Sequence, residues 1–99
     1  MGTTYRRIKA VTTTLVILEA LAESREPITG SEIAGMTQVP FATVMCHMAT
    51  LQDRGYVQVI GEKYRLGMKL AVFWARMKSM KEAERQAVDK DLRILDGDN

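Results

Sequence analysis

The 99-residue chain holds a single cysteine and a single histidine. One thiol excludes an internal disulfide, and one imidazole beside it, Cys46 next to His47, does not make a zinc ligand set. No apolar run approaches the roughly 20 residues that cross a bilayer. The N-terminus also lacks the layout of a secretory signal. Met1-Gly2 opens like a myristoylation start, yet Arg6 stands where a serine or threonine is required. Nor does any set of acid, base and nucleophile suggest catalysis. Cys46 and His47 are helical neighbours whose side chains diverge by about 100°, and no third group orients the imidazole. No cation is placed beside Cys46 to activate its thiol, which weakens a redox-sensing reading. The expectation is a non-enzymatic, cytoplasmic protein without metal or cofactor.

What is present fits one domain with a modest core: 46% of residues are hydrophobic and 26% charged. The net charge of +2 hides an uneven distribution. Residues 56–81 carry Lys63, Arg65, Lys69, Arg76, Lys78 and Lys81 against Glu62 alone, whereas 26–55 carry only Arg54 against Glu26, Glu32 and Asp53. The N-terminal segment adds Arg6, Arg7 and Lys9, and the tail from Glu82 is acidic. A polyanion would therefore be held from the N-terminal arm and the 56–81 block, not from the middle of the chain.

Ile8, Val11, Leu15, Leu18 and Ala22 recur at helical spacing, and Thr14, Ile17 and Leu21 add an adjacent stripe. This predicts a first helix over Val11–Ser24, starting as early as Thr4, with one broad core face or with separate faces for the core and a second subunit. Thr29 and Glu32 match a capping box that opens a short second helix to about Thr37, burying Ile33 and Met36. Gly35 within it suggests a close helix approach. Gln38-Val39 makes a turn, and Pro40 suits the first position of a third helix. That helix carries Val44, Met48 and Leu51 on one face and stops at Gly55. Tyr56–Val59 and Lys63–Leu66 read as strands joined through Gly61-Glu62. From Met68 a helix of roughly 40 Å runs to about Leu95, too long for the preceding body to cover.

The order is that of a helix-turn-helix followed by a wing, a device that puts a helix into a DNA major groove. The fold expected is mainly α with a small β-hairpin: a winged helix-turn-helix domain over 1–67 and a long C-terminal helix over 68–99. That last segment reads as a dimerisation element with a frayed tail.

The strings LVILEALA, ITGSEIA, VPFATV…MATLQDRGYV and YRLG, in that order and spacing, resemble the N-terminal DNA-binding domain of the IclR family of bacterial transcriptional regulators. The resemblance spans about Ala10–Leu70. It implies a homodimeric operator binder, repressor or activator, joined through the first and last helices. Family members continue into a large effector-binding domain. With the chain stopping at Asn99, that domain and its small-molecule sensing are expected to be missing. By position, Phe41, Ala42, Thr43, Met45 and Cys46 fall where the family's recognition helix meets DNA. Relatives place mostly basic and polar residues there, and this chain keeps only Thr43. Gln38 stands at the family's turn glycine, and His47 where relatives bury a leucine.

From Pro40 to Leu51 there is no Asp, Glu, Lys or Arg. One account has Phe41, Ala42, Met45 and Cys46 read shape and thymine methyl groups in double-stranded DNA. Thr43, Thr29 or Ser31, Arg54, Lys63 and Arg65 then hold phosphates, and Arg6 and Arg7 form a minor-groove arm or a frayed end. The other makes the Phe41–Met45 face a docking surface for a protein partner. His47 is expected to be partly buried with one backbone partner.

Overall fold

The computed structural model describes residues 3–97. Met1-Gly2, considered above as a lipidation start, and Asp98-Asn99 at the end of the tail lie outside the described residues. The elements run α1 (Lys9–Glu23), β1 (Ile28–Thr29), α2 (Gly30–Thr37), α3 (Phe41–Asp53), β2 (Val57–Ile60), β3 (Lys63–Leu66) and α4 (Met68–Leu95). This is a winged helix-turn-helix with a long C-terminal helix.

The core forms where three helices and the sheet turn their apolar positions inward. Ile17 and Leu21 of α1, Ile33 of α2, Val44, Met48 and Leu51 of α3, and Val57 of β2 make one buried cluster. On α3 those positions are four and three residues apart, so one face of the helix is sealed and the other is left over. On α1 the stripe through Ile17, Ala20 and Leu21 takes the core side. Ile8, Val11 and Leu15 of the other stripe remain exposed, Ile8 at 65%. One stripe of α1 therefore serves the core and the other is left uncovered.

The turns explain why the elements end where they do. Thr29 Oγ accepts from the Glu32 backbone N–H, and the Glu32 carboxylate accepts from the Thr29 N–H, completing the capping box. After α2, Gln38 adopts φ 59°, ψ 26°, a left-handed conformation that costs a non-glycine residue about 1–2 kcal/mol. Its side-chain Nε2 donates to the Gly35 carbonyl at 2.9 Å, capping the helix it terminates. At the end of α3, Gly55 takes φ 80°. The Gly55 N–H reaches Gln52 O at 3.0 Å and the Tyr56 N–H reaches Leu51 O at 2.9 Å. Those two bonds satisfy the last carbonyls of α3 and aim the chain into β2.

The wing is a β2–β3 hairpin with Val57 opposite Leu66 and Ile60 opposite Lys63. It acquires a third strand the sequence reading did not include. Ile28 and Thr29 pair antiparallel with Tyr64 and Lys63, giving the order β1-β3-β2. Three other expectations change. Pro40 is the residue before α3 rather than its first, with ψ 141°. Met36 is half exposed instead of buried. Nothing approaches Gly35, where an added methyl would meet open space. Gly67 is the glycine that packing demands, since a Cβ there would strike the Gly55 carbonyl oxygen.

The chain divides into two compact units between Met68 and Lys69. The second unit is the body of α4, a helix of about 40 Å with no buried residue. It ends on Gly97 at φ 82°, whose N–H reaches Ile94 O at 3.1 Å. No described helix is long and apolar enough to cross a membrane.

Candidate nucleic-acid interface

α3 buries Val44, Met48 and Leu51 and turns Ala42, Thr43 and Cys46 to the opposite side, while Phe41 and Met45 stand along the edge of the buried stripe that borders α2. Phe41 is 52% exposed, Ala42, Thr43 and Cys46 are exposed, and Met45 is half-buried. The Thr50 hydroxyl, one turn on, is engaged with the Cys46 carbonyl at 3.1 Å. The first two turns of α3 therefore present a phenyl ring, methyl groups, a thioether and a thiol. Thr43 supplies the hydroxyl among them.

Met45 and Phe41 are positioned from below by α2. A Cβ on Gly30 would sit 2.7 Å from Met45 Sδ and 3.2 Å from a Phe41 ring carbon. Glycine at the start of α2 thus lets these side chains settle onto its backbone. They share an open hollow of about 490 Å³ with Thr29, Ser31, Gly61, Glu62 and Tyr64. The wing tip and the N-terminal ends of α2 and α3 converge there.

The convergence brings some of the expected residues together and separates others. Ser31 lies in the hollow with an exposed side chain. Thr29 also lines it, but its hydroxyl donates to Glu32 Oε1 at 3.1 Å while accepting from the Glu32 N–H. That leaves it a cap more than a phosphate ligand, and the Glu32 carboxylate offsets the positive end of α2. Lys63 and Arg65 are exposed on the face of β3 opposite Tyr64 and Leu66, which turn toward the core. Lys63 borders a separate depression with Glu26, Pro27 and Glu32. Arg65 is steadied by a 2.8 Å bond from its Nε to Gln58 Oε1. The basic pair thus flanks the wing without entering the hollow. Arg54 is exposed just past the end of α3. Arg6 and Arg7 precede α1 in irregular chain, with Arg7 donating to the Tyr5 carbonyl at 2.7 Å.

Cys46 also borders a second groove, lined with His47, Thr14, Val11 and Thr50. His47 is half-buried as expected, but its partner is a side chain. Its Nδ1 lies 2.8 Å from Thr14 Oγ. Among the described residues no group of three His, Cys, Asp or Glu is placed to hold a metal ion.

Gly30, Glu62 and Tyr64 were missed by sequence reasoning as parts of this surface. Gly30 follows a capping threonine and gives no local sign that α3 lies over it. Glu62 and Tyr64 reach the hollow through the β1–β3 pairing, and a two-residue strand is too short for periodicity to show.

The IclR helix-turn-helix domain model matches residues 10–60. The chain belongs to the IclR helix-turn-helix family. Two solved structures resemble it as folds. An IclR family transcriptional regulator from Brucella abortus superposes with a TM-score of 0.65 at 23% identity, over 80% of this chain and 32% of that one. Pseudomonas aeruginosa HmgR gives a TM-score of 0.63 at 25% identity, over 73% of this chain and 31% of that one. This chain thus spans about a third of the length of these structures. No curated protein matches the sequence.

Proposed function

We propose that the protein is a small, cytoplasmic, homodimeric transcriptional regulator that binds double-stranded DNA. In this reading α3 enters the major groove and the wing lies along the backbone or the adjacent minor groove. The single observation that carries it is the outward face of α3, with Phe41 52% exposed in an IclR helix-turn-helix. Protein interiors seal such a helix face unless something else covers it.

Read as a DNA surface, the face is selective for a particular chemistry. With no charged side chain from Pro40 to Leu51, it does not offer the bidentate donors that read guanine. It offers apolar contact to thymine methyl groups through Phe41, Ala42 and Met45. Ser31, Thr43, Arg54, Lys63 and Arg65, with Arg6 and Arg7 from the N-terminal arm, supply the phosphate contacts that carry most of the affinity.

A fluorescence titration with random-sequence duplex tests the reading. With two or three of these five cations reaching phosphate in each subunit, log K falls against log salt with a slope of about −4 to −5 per dimer. Absence of binding at low salt, or binding indifferent to salt, overturns it.

One observation favours a second reading, in which the same face docks a protein. Phe41 and Met45 form an apolar patch while the basic Lys63 and Arg65 stand on the other side of β3. In that case random duplex is not bound, and Phe41→Ala abolishes partner capture without changing the fold.

A further inference from the structure

The helix α4 is long, has no buried residue and is apolar mainly toward its two ends. Trp74 is 65% exposed and Leu95 80%. Along one side of the helix, Leu70, Trp74, Met77, Lys81, Glu84, Val88, Asp91 and Leu95 alternate at spacings of four and three. This is the spacing of a two-stranded coiled-coil seam, with five of the eight positions apolar. Its charges are Lys81 and Glu84 at the middle and Asp91 beyond them. Lys81 and Glu84 form a 3.2 Å ion pair within the helix, both well exposed.

We propose that α4 pairs antiparallel with α4 of a second copy of this chain, centred so that each Lys81 faces the partner's Glu84. The proposal rests on the homodimer part of the function argued above and specifies its direction and register.

Charge decides the direction. In a parallel, in-register pair each residue meets its own copy, so Lys81, Glu84 and Asp91 would form three like-charge layers. Reversing one helix about the midpoint between Lys81 and Glu84 converts two of those layers into Lys–Glu pairs. The same reversal sets Met77 against the partner's Val88 and Leu70 against the partner's Leu95. Trp74 then spans the partner's Asp91 and Leu92. On one flank Phe73 and Met80 meet the partner's Ile94 and Ala87. On the other, Lys78 approaches the partner's Arg85. That is a like-charge contact at the water-exposed rim, where Lys78 already sits over the Trp74 ring at 5.3 Å. Every seam layer is then apolar or oppositely charged except where Trp74 covers Asp91.

The full chain tests this in two ways. Sedimentation equilibrium at low salt reads the charges. Lys81→Glu and Glu84→Lys each weaken self-association at least fivefold, while an equimolar mixture of the two, and the double variant, associate like the parent. In a parallel pair neither single change alters the number of like-charge layers. An ion pair confined to one helix predicts no gain on mixing.

Spin labels then read the geometry, on Cys46→Ser chains carrying Arg93→Cys or Glu82→Cys. The antiparallel pair places the two labels about 40 Å apart at position 93 and about 20 Å apart at position 82. About 20 Å at both positions overturns the antiparallel seam and leaves the homodimer standing. A monomer overturns both, and DNA binding, measured separately with duplex, is decided by neither. Unchanged association in all the charge variants overturns the seam.

Discussion

His47 Nδ1 lies 2.8 Å from Thr14 Oγ, a bond that ties α3 to α1 across the rim of the core. The same hydroxyl is 2.9 Å from the Ala10 carbonyl, one turn back on α1. A hydroxyl has one proton to give. With that hydrogen donated to the Ala10 carbonyl, the hydroxyl can only accept from His47, whose Nδ1 then carries the hydrogen and donates to Thr14. Thr14→Val removes the acceptor and leaves a half-buried donor, which costs about 1 kcal/mol. His47→Leu leaves the threonine satisfied by Ala10 and is close to neutral. Denaturant unfolding of both singles and the double variant checks this; additive effects would show that the two side chains are not coupled.

Gly30→Ala probes the link between α2 and the outward face of α3. The new methyl falls against Met45 Sδ and the Phe41 ring, both movable ends of side chains rather than backbone. The domain therefore keeps its melting temperature to within a few degrees, while Phe41 and Met45 are pushed outward. Selection from a random DNA pool should return a different preferred sequence, with affinity for random duplex unchanged. Retention of the parental preference would remove these two side chains from base reading.

The glycines separate backbone necessity from accident. Gly67→Ala forces a methyl onto the Gly55 carbonyl, which neither strand end can vacate, and destabilises by about 2 kcal/mol. Gly35→Ala meets nothing and improves helix propensity, so it stabilises by about 0.5–1 kcal/mol. Thermal melts of the two variants should move in opposite directions.

Gln38 is the left-handed residue that ends α2. Gln38→Ala keeps the backbone strain and loses the bond to the Gly35 carbonyl. Gln38→Gly loses the same bond but relieves the strain. The glycine variant should therefore be the more stable of the two by about 1 kcal/mol, and equal stabilities would mean that the turn rearranges.

The sequence showed these features unequally, for physical reasons. Thr29 with Glu32, the stop at Gly55 and the Gly61-Glu62 turn are local chemistry, so α2, α3 and the hairpin were readable with boundaries within a residue or two. Gln38 was readable as left-handed only through the resemblance, since it stands at the family's turn glycine. The strand at Ile28–Thr29 exists only through its pairing with β3, and no pattern inside two residues announces it. Which stripe of α1 enters the core was equally hidden. Both stripes are apolar, and Ile17 and Leu21 are inside because of where α2 and α3 sit. The interface shows the same division. Phe41 and Met45 could be assigned to the recognition surface only through the resemblance, and their seat on Gly30 and their proximity to Tyr64 and Glu62 are tertiary facts.

The uncharged outward face of α3 leads to a test on the DNA rather than on the protein. A surface of Phe41, Ala42 and Met45 gains affinity from a major-groove methyl group by burying it, about 0.8 kcal/mol for each one covered. Replacing thymine by uracil at a contacted position deletes that methyl and leaves every hydrogen-bonding edge and phosphate intact. Each such replacement in a selected site should weaken binding about fourfold. Uracil at uncontacted positions should have no effect, and affinity for random duplex should be unchanged. Lys63→Ala and Arg65→Ala should give the complementary result, weakening all sequences alike and flattening the salt slope by about 2 per dimer each. If uracil substitution is silent throughout a tightly bound site, the apolar side chains of α3 do not read that site through its methyl groups.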